Sequence, residues 1–572
     1  MVILAQMFFM RFLLVFILFF ETIYSQNTYP HDYFRLPLDI PMSISGSFGE
    51  LRYGHFHTGI DFRTEKREGL PVYAAADGFI SRIKISTGGY GKSIYIDHPN
   101  GFTTVYGHLQ SAEGIIQDSI LKQQYTQKKY EVEFFPKPTY LIVKKGDIIG
   151  YSGNTGGSGG PHLHFEIRET KTEMIINPLY FGFNQNLKDS TPPQILGILA
   201  YPIGENSQVN GSEKPIIVTL SLQKDGTYLA TRVLASGTIG FGINTHDTSN
   251  FNYGKNGIFK LDTFLNGVPY FSYKFDSFSF DDAKYINNFI DYPLYQSQKQ
   301  RFQKLFLGNF YPTNIIKTVK NNGLITVANN FTLNYKIVVQ DFHNNISVIN
   351  IPLAYFNAPV SKKNELKKTP YFLKALNEHS YTKDGISVFI PEKTFFEDFY
   401  INFNVKDNQL TLHDESVAVQ NSYTINFDVS TIDLKNQEKM FIGNLDRGNL
   451  EYNNTIKKEN TFTINTKKLG TFLLSKDSIS PKIYKPNFKE GDNMDLVKQL
   501  KIYISDNLSG IKVINAFLNG KWILMEYESK LNRLTHNFND NIHIIGRNDF
   551  KIIVSDNLGN STTFESYFLK TK

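Results

Sequence analysis

The chain has 572 residues, 41% of them hydrophobic, and a formal net charge of +6. This apolar fraction supports packed cores and excludes a disordered protein, and the length predicts about four domains. The modest charge is spread along the chain without a basic cluster, which excludes a nucleic-acid partner, and the absence of cysteine leaves any metal site to nitrogen and oxygen ligands.

The amino terminus, MVILAQMFFMRFLLVFILFFETIYSQ, places Arg11 before an apolar run from Phe12 to Phe20 and a polar, small-residue stretch after it. The run is too short for an ordinary membrane span and predicts a signal peptide over residues 1–25, cleaved after Ser25; Met10 is an alternative start and a retained anchor the alternative reading. No transmembrane span is expected once the signal is removed. The following FRLPLDIPMSISGSFGELR supplies the opening strands.

In GHFHTGIDF, His57 and Asp61 stand four residues apart, with Gly59 between them to let the chain bend. Zinc accepts imidazole nitrogen and carboxylate oxygen, and a hydrolytic zinc site has three protein ligands and one open position. His55 shares the parity of His57 and is its rival. The alternation from Ser93 to Asp97 predicts a strand, and the turn sequence DHPNG predicts a solvated His98. TTVYGHL then reads as a strand that delivers a further imidazole, His108; Tyr106 on the same face either bonds a developing oxyanion or packs. An insertion over 111–140, before the turn at Lys144 to Asp147, either walls a substrate groove or is a solvated helical excursion.

The run GNTGGSGGPHLHFE leads into a strand that carries His162, His164, Glu166 and Arg168 on one face and Leu163, Phe165 and Ile167 on the other. Two imidazoles at this spacing either share one metal or divide into a ligand and a proton carrier; one of them completes a set with His57 and Asp61. A half-exposed edge strand is the plainer alternative. Glu166 is expected to pair with Arg168 or solvent. No HExxH motif occurs, so the glutamate base of helical zinc proteases is missing and histidine must take its place.

Beyond Pro192 and Pro193, short aromatic and β-branched runs separated by Asn, Asp and Gly predict β-sandwiches. KIVVQDFHNN (336–345), KIYISDNLSG (501–510) and KIIVSDNLGN (551–560) repeat a strand followed by an acidic, Asn-rich turn. With SKKNELKKTP as a linker, the expected divisions are a first domain over 26–190, β-sandwiches over 191–356 and 371–478, and an Ig-like domain over 479–572. These tail domains carry no recognisable site; their aromatic residues either form carbohydrate-stacking platforms or pack, leaving the domains as spacers and docking surfaces for envelope partners.

Taken in order, GHFHTGID, YGHL and SGNTGGSGGPHLHFEIRE resemble the M23 family of zinc metallopeptidases, the lysostaphin or LytM type, over residues 38–182. The resemblance implies a mainly β fold built on an antiparallel sheet, with His57, Asp61 and His164 as zinc ligands and His108 and His162 as catalytic histidines. It implies a secreted or periplasmic endopeptidase that cuts cross-links or stem peptides of bacterial peptidoglycan. The alternative is a LytM-like protein that binds cell wall or regulates an amidase without cutting.

Overall fold

The computed structural model describes residues 29–571, except 249–253, 309–313, 329–331, 358, 365–366 and 541. The expected signal peptide lies outside the described residues. Among the described residues, no helix is long and apolar enough to cross a membrane.

The chain is mainly β. Its first sheet runs in the order 44–46, 60–63, 162–169, 102–107, 92–97, 78–85 and 132–134, with every neighbouring pair antiparallel. The HLH strand, His162–Glu169, is therefore central, not an edge. Leu163, Phe165 and Ile167 are fully buried on one face, as period-two alternation requires. The other face is buried too, because loops close over it: His164, Glu166 and Arg168 are all at most 3% exposed.

Register decides which side chains meet. His164 stands directly opposite Asp61 on one neighbouring strand and Gly107 on the other. Gly59 has a different reason from the bend expected of it: an added Cβ would lie 2.3 Å from the carbonyl oxygen of Phe165. Only glycine lets the two backbones approach this closely.

The insertion folds as a helix, Gly114–Gln127, that buries Ile116, Ile120 and Gln124 at four-residue spacing, followed by a strand, Val132–Phe134, paired to the sheet. Its far end meets the last module of the chain: the Tyr125 ring packs edge-on against Trp522 at 5.3 Å, and its hydroxyl donates to Asp540.

The buried apolar cluster runs on without a break from Phe34 to Leu353. Phe56 packs against Phe275 and Phe289, and strand 175–176 pairs with 277–278, so the first sheet continues into the following segment. That segment forms a twelve-stranded sheet built on the long strands Gln194–Val209 and Val233–His246. Residues 371–476 hold two five-stranded sheets around a second core, and 482–570 hold two four-stranded sheets around a third.

Candidate metal centre

The side chains of His57, Asp61 and His164 converge from two segments of the chain, with one donor atom each within 4.8 Å of the others. His164 Nδ1 lies 2.9 Å from Asp61 Oδ1 and 3.0 Å from His57 Nε2, and His57 Nε2 lies 3.1 Å from Asp61 Oδ1. All three residues are at most 3% exposed. Two imidazoles and one carboxylate, turned toward one another in a dry site, form a donor set that fits zinc.

Each histidine is aimed by its other nitrogen. His57 Nδ1 donates to the Ser47 carbonyl at 2.8 Å, and His164 Nε2 donates to Glu166 Oε1 at 2.9 Å. With the outer nitrogens committed, the inner ones face the cluster, which is how a protein fixes the tautomer of a ligating histidine. His108 and His162 follow the same rule: their Nδ1 atoms donate to the carbonyls of Thr155 and Gly160, both at 2.8 Å. His162 Nε2 is then buried without a hydrogen-bond partner among the described residues, 3.5 Å from Asp61 Oδ1, and the His108 ring lies 4.7 Å from that of His162. His108 reaches this position through a left-handed backbone, φ 59°. A non-glycine residue held there stores strain, of a kind that collects at functional sites.

The glycine-rich run thus has a second job besides clearing a path. It carries the two carbonyls that orient His108 and His162. Gly156, at φ 70°, brings this loop against Gly91, where an added Cβ would lie 2.3 Å from the Gly91 nitrogen. The C-terminal module holds the same loop from outside: Lys530 Nζ donates to the carbonyls of Asn154 at 2.6 Å and Ser158 at 2.5 Å.

Charge around the cluster is arranged in layers. Asp61 stays ionised against the pull of its burial because His57, His162 and His164 surround it. Arg52 pairs with its outer oxygen, Oδ2, leaving Oδ1 for the cluster. Burial pushes His57 down to about 4; burial, reinforced by His164 and His162, pushes His108 down to about 3, so both rings are neutral lone-pair donors. His164 goes the other way, up to about 9, since Asp61 and Glu166 outweigh its burial. Glu166 is fully buried, and Arg168 Nε donates to its Oε2 at 2.8 Å. Despite the burial, that guanidinium and His164 hold the Glu166 carboxyl well below the usual range.

All five residues singled out from the sequence come together, and the rival falls away: His55 is exposed on the Leu51–Arg52/His55–Phe56 hairpin, outside the cluster. His98 is not solvated. It is 6% exposed and bonded at both nitrogens, to the Asp77 carbonyl at 2.9 Å and Thr104 Oγ1 at 2.8 Å, because the turn folds back over the sheet face. Tyr106 packs in the core, with its hydroxyl accepting from the Ala75 amide. The tyrosine of the site is Tyr90, stacked on His164 with ring centroids 5.0 Å apart and its hydroxyl donating to Glu166. Nothing in STGGYGKS marked it. Arg52 was more accessible to reading, since LRYGHF has the form of a two-residue hairpin that sets Arg52 opposite His55.

Comparison with known proteins agrees with this geometry. The profile of Peptidase family M23 matches residues 55–126 and 137–178, and that of the Zu5-like domain matches 370–477. The DD-carboxypeptidase/endopeptidase Mpg of Neisseria meningitidis is 37% identical over 133 residues, covering 22% of this chain and 24% of that one. The peptidoglycan DD-endopeptidase ShyA of Vibrio cholerae is 32% identical over 141 residues, covering 23% of this chain and 26% of that one. The chain thus spans about a quarter of the length of these curated relatives. Among solved structures, the catalytic domain of lysostaphin from Staphylococcus simulans is 26% identical, with 25% of this chain and 92% of that chain covered, at a TM-score of 0.19. His57, Asp61, His108, His162 and His164 all lie within the matched stretch, and through it the chain carries a domain of peptidase family M23.

Proposed function

We propose that this protein is an exported zinc metalloendopeptidase that hydrolyses peptide cross-links or stem peptides of peptidoglycan in the bacterial cell envelope. The observation that carries the reading is the orientation of four histidines, each anchored by one nitrogen to an outside acceptor, with the other nitrogens of His57, His162 and His164 at 3.1, 3.5 and 2.9 Å from Asp61 Oδ1 and the His108 ring beside that of His162. The curated relatives named for peptidoglycan and DD-peptidase activity support the substrate class.

His57 Nε2, Asp61 Oδ1 and His164 Nδ1 would hold the metal. When bound, zinc supplies a positive charge that acidifies water and polarises a carbonyl. One of His162 and His108, the latter held neutral by its burial, would take the proton of the attacking water. Once charged, that ring stabilises the negative oxygen forming on the scissile carbonyl and returns the proton to the departing amine. Glu166 acts through His164, fixing its ring, and Arg52 does the same for Asp61. The envelope location and docking through the C-terminal β-modules follow from this substrate and remain part of the proposal.

The test is digestion of purified sacculi of known chemistry by the zinc-loaded chain, with mass analysis of the released muropeptides. New amino termini within cross-links or stems are expected. Zinc-loaded protein that binds sacculi and releases nothing would favour the non-catalytic, wall-binding or amidase-regulating reading instead.

A further inference from the structure

A second group of metal-ligating side chains lies outside the peptidase site, at the junction with the twelve-stranded sheet. Asp189 ends the first module just before Pro192 and Pro193. Asp341 and His343 lie in the turn QDFHNN, the first copy of the repeated strand-and-acidic-turn motif. One donor atom each of Asp189, Asp341 and His343 lies within 4.8 Å of the others. Asp247 and Asn256, joined by backbone hydrogen bonds of 2.9 Å in both directions, line a cavity of about 50 Å³ together with Asp189 and His343. This is room for an ion and its water.

Two oxygens there lack what buried oxygens require. Asp247 is 7% exposed and Asn256 is 4% exposed, and Oδ1 of each has no hydrogen-bond partner among the described residues. Nor does any described lysine or arginine form an ion pair with Asp189, Asp247 or Asp341. An unpaired buried carboxylate is expensive, and buried charges are found paired or on metals. Without a cation, burial and the neighbouring Asp341 and Asp189 push the Asp247 carboxyl up to about 8.

We propose that this cavity and the Asp341 turn beside it form a binding site for a divalent cation of the calcium class, ligated by the carboxylates of Asp189, Asp247 and Asp341 and by the amide oxygen of Asn256. Several carboxylates and an amide oxygen from separate segments suit a large, hard cation that takes six to eight oxygens; His343 is the single nitrogen among them. Such an ion ties together the end of the peptidase domain, the Asp247/Asn256 pair and the Asp341 turn. From there the structure leads to the catalytic centre in two bonds. Gly257 N donates to Ser47 Oγ at 2.8 Å, and the Ser47 carbonyl is the acceptor that aims His57.

The test uses the full chain without its leader, stripped with EGTA and reloaded with zinc, then titrated calorimetrically with calcium chloride. Asp247→Asn removes a charge and no hydrogen bond. It should bind one calcium fewer than the parent, whatever the untouched trio Asp477, Asp506 and Asp556 binds. Calcium should raise the melting midpoint of the parent by several degrees and that of the variant by less. In calcium-free buffer the order should reverse, with Asp247→Asn melting at or above the parent because a carboxyl that burial forces to take up a proton, or to stay charged at a cost, is gone. Asn256→Ala, which removes a neutral donor, reads the same site through a drop in calcium affinity of about tenfold or more. Unchanged stoichiometry in Asp247→Asn together with unchanged affinity in Asn256→Ala overturns the proposal. So does a site that takes zinc or manganese and ignores calcium.

Discussion

Glu166 is the residue on which the site's construction can be tested most sharply. It is fully buried, it accepts from His164 Nε2, Arg168 Nε and the hydroxyls of Thr58 and Tyr90, and it touches no donor atom of the cluster. Glu166→Gln keeps the shape and an oxygen for His164 but removes the charge. Because an acceptor behind a ligating histidine raises its basicity and fixes its ring, zinc affinity should fall about 10- to 100-fold. Glu166→Ala is a different perturbation. It leaves Arg168, whose side chain is 4% exposed, with only the longer contact to Glu173 at 3.6 Å, and breaking a buried pair costs about 3–5 kcal/mol. That corresponds to roughly 100- to several-thousand-fold faster amide exchange along the His162–Glu169 strand wherever exchange proceeds by opening of the domain. The assays are competition with a chromophoric chelator for zinc, and hydrogen exchange with mass detection on the metal-free protein. Zinc affinity unchanged in Glu166→Gln would refute the orienting role, and unchanged protection in Glu166→Ala would refute the buried ion pair as a support of the strand.

The remaining predictions concern the proposed roles of the five site residues and the loop beside them. His57→Ala, Asp61→Ala and His164→Ala should each strip zinc, since the loss of one of three protein ligands leaves too few donors; stoichiometric metal by elemental analysis in any of them would mean the wrong ligand has been chosen. His162→Ala and His108→Ala should keep zinc and lose about 100- to 10,000-fold in muropeptide release, the usual worth of a general acid or base. A metal-free His162→Ala protein would reverse the roles within the HLH pair. Lys530→Ala should retain zinc yet speed amide exchange over residues 154–160 by roughly fivefold, as expected for losing about 1 kcal/mol of hydrogen bonding at an exposed lysine; no change there would show that the C-terminal module does not restrain the loop.

Local spacing is what made the centre legible. HxxxD and HxH each fix the relation of two side chains within a few residues, and alternation put His162, His164, Glu166 and Arg168 on one face, so the Glu166–Arg168 pair was readable as well. The insertion's helix could be anticipated as an excursion, but not its contact with Trp522, which depends on where a module some 400 residues later comes to rest.

Sequence by itself determined which atoms are available for chemistry: the histidines and carboxylates, their strand parity, and a mainly β chain without thiolate ligands. Tertiary structure alone decided their state. Register set His164 opposite Asp61, loop carbonyls from Thr155 and Gly160 chose the inward nitrogens of His108 and His162, Tyr90 arrived from a turn with no motif of its own, and Arg52 came from a short hairpin strand. Burial turned His98 from an expected loop residue into a bonded core residue, and the fold brought Asp189, Asp247 and Asp341, separated by up to 152 positions, within electrostatic reach of one another. The physical reason is common to all of these. Residue type and short-range periodicity are properties of neighbours in the chain, whereas desolvation, tautomer and charge balance are properties of neighbours in space.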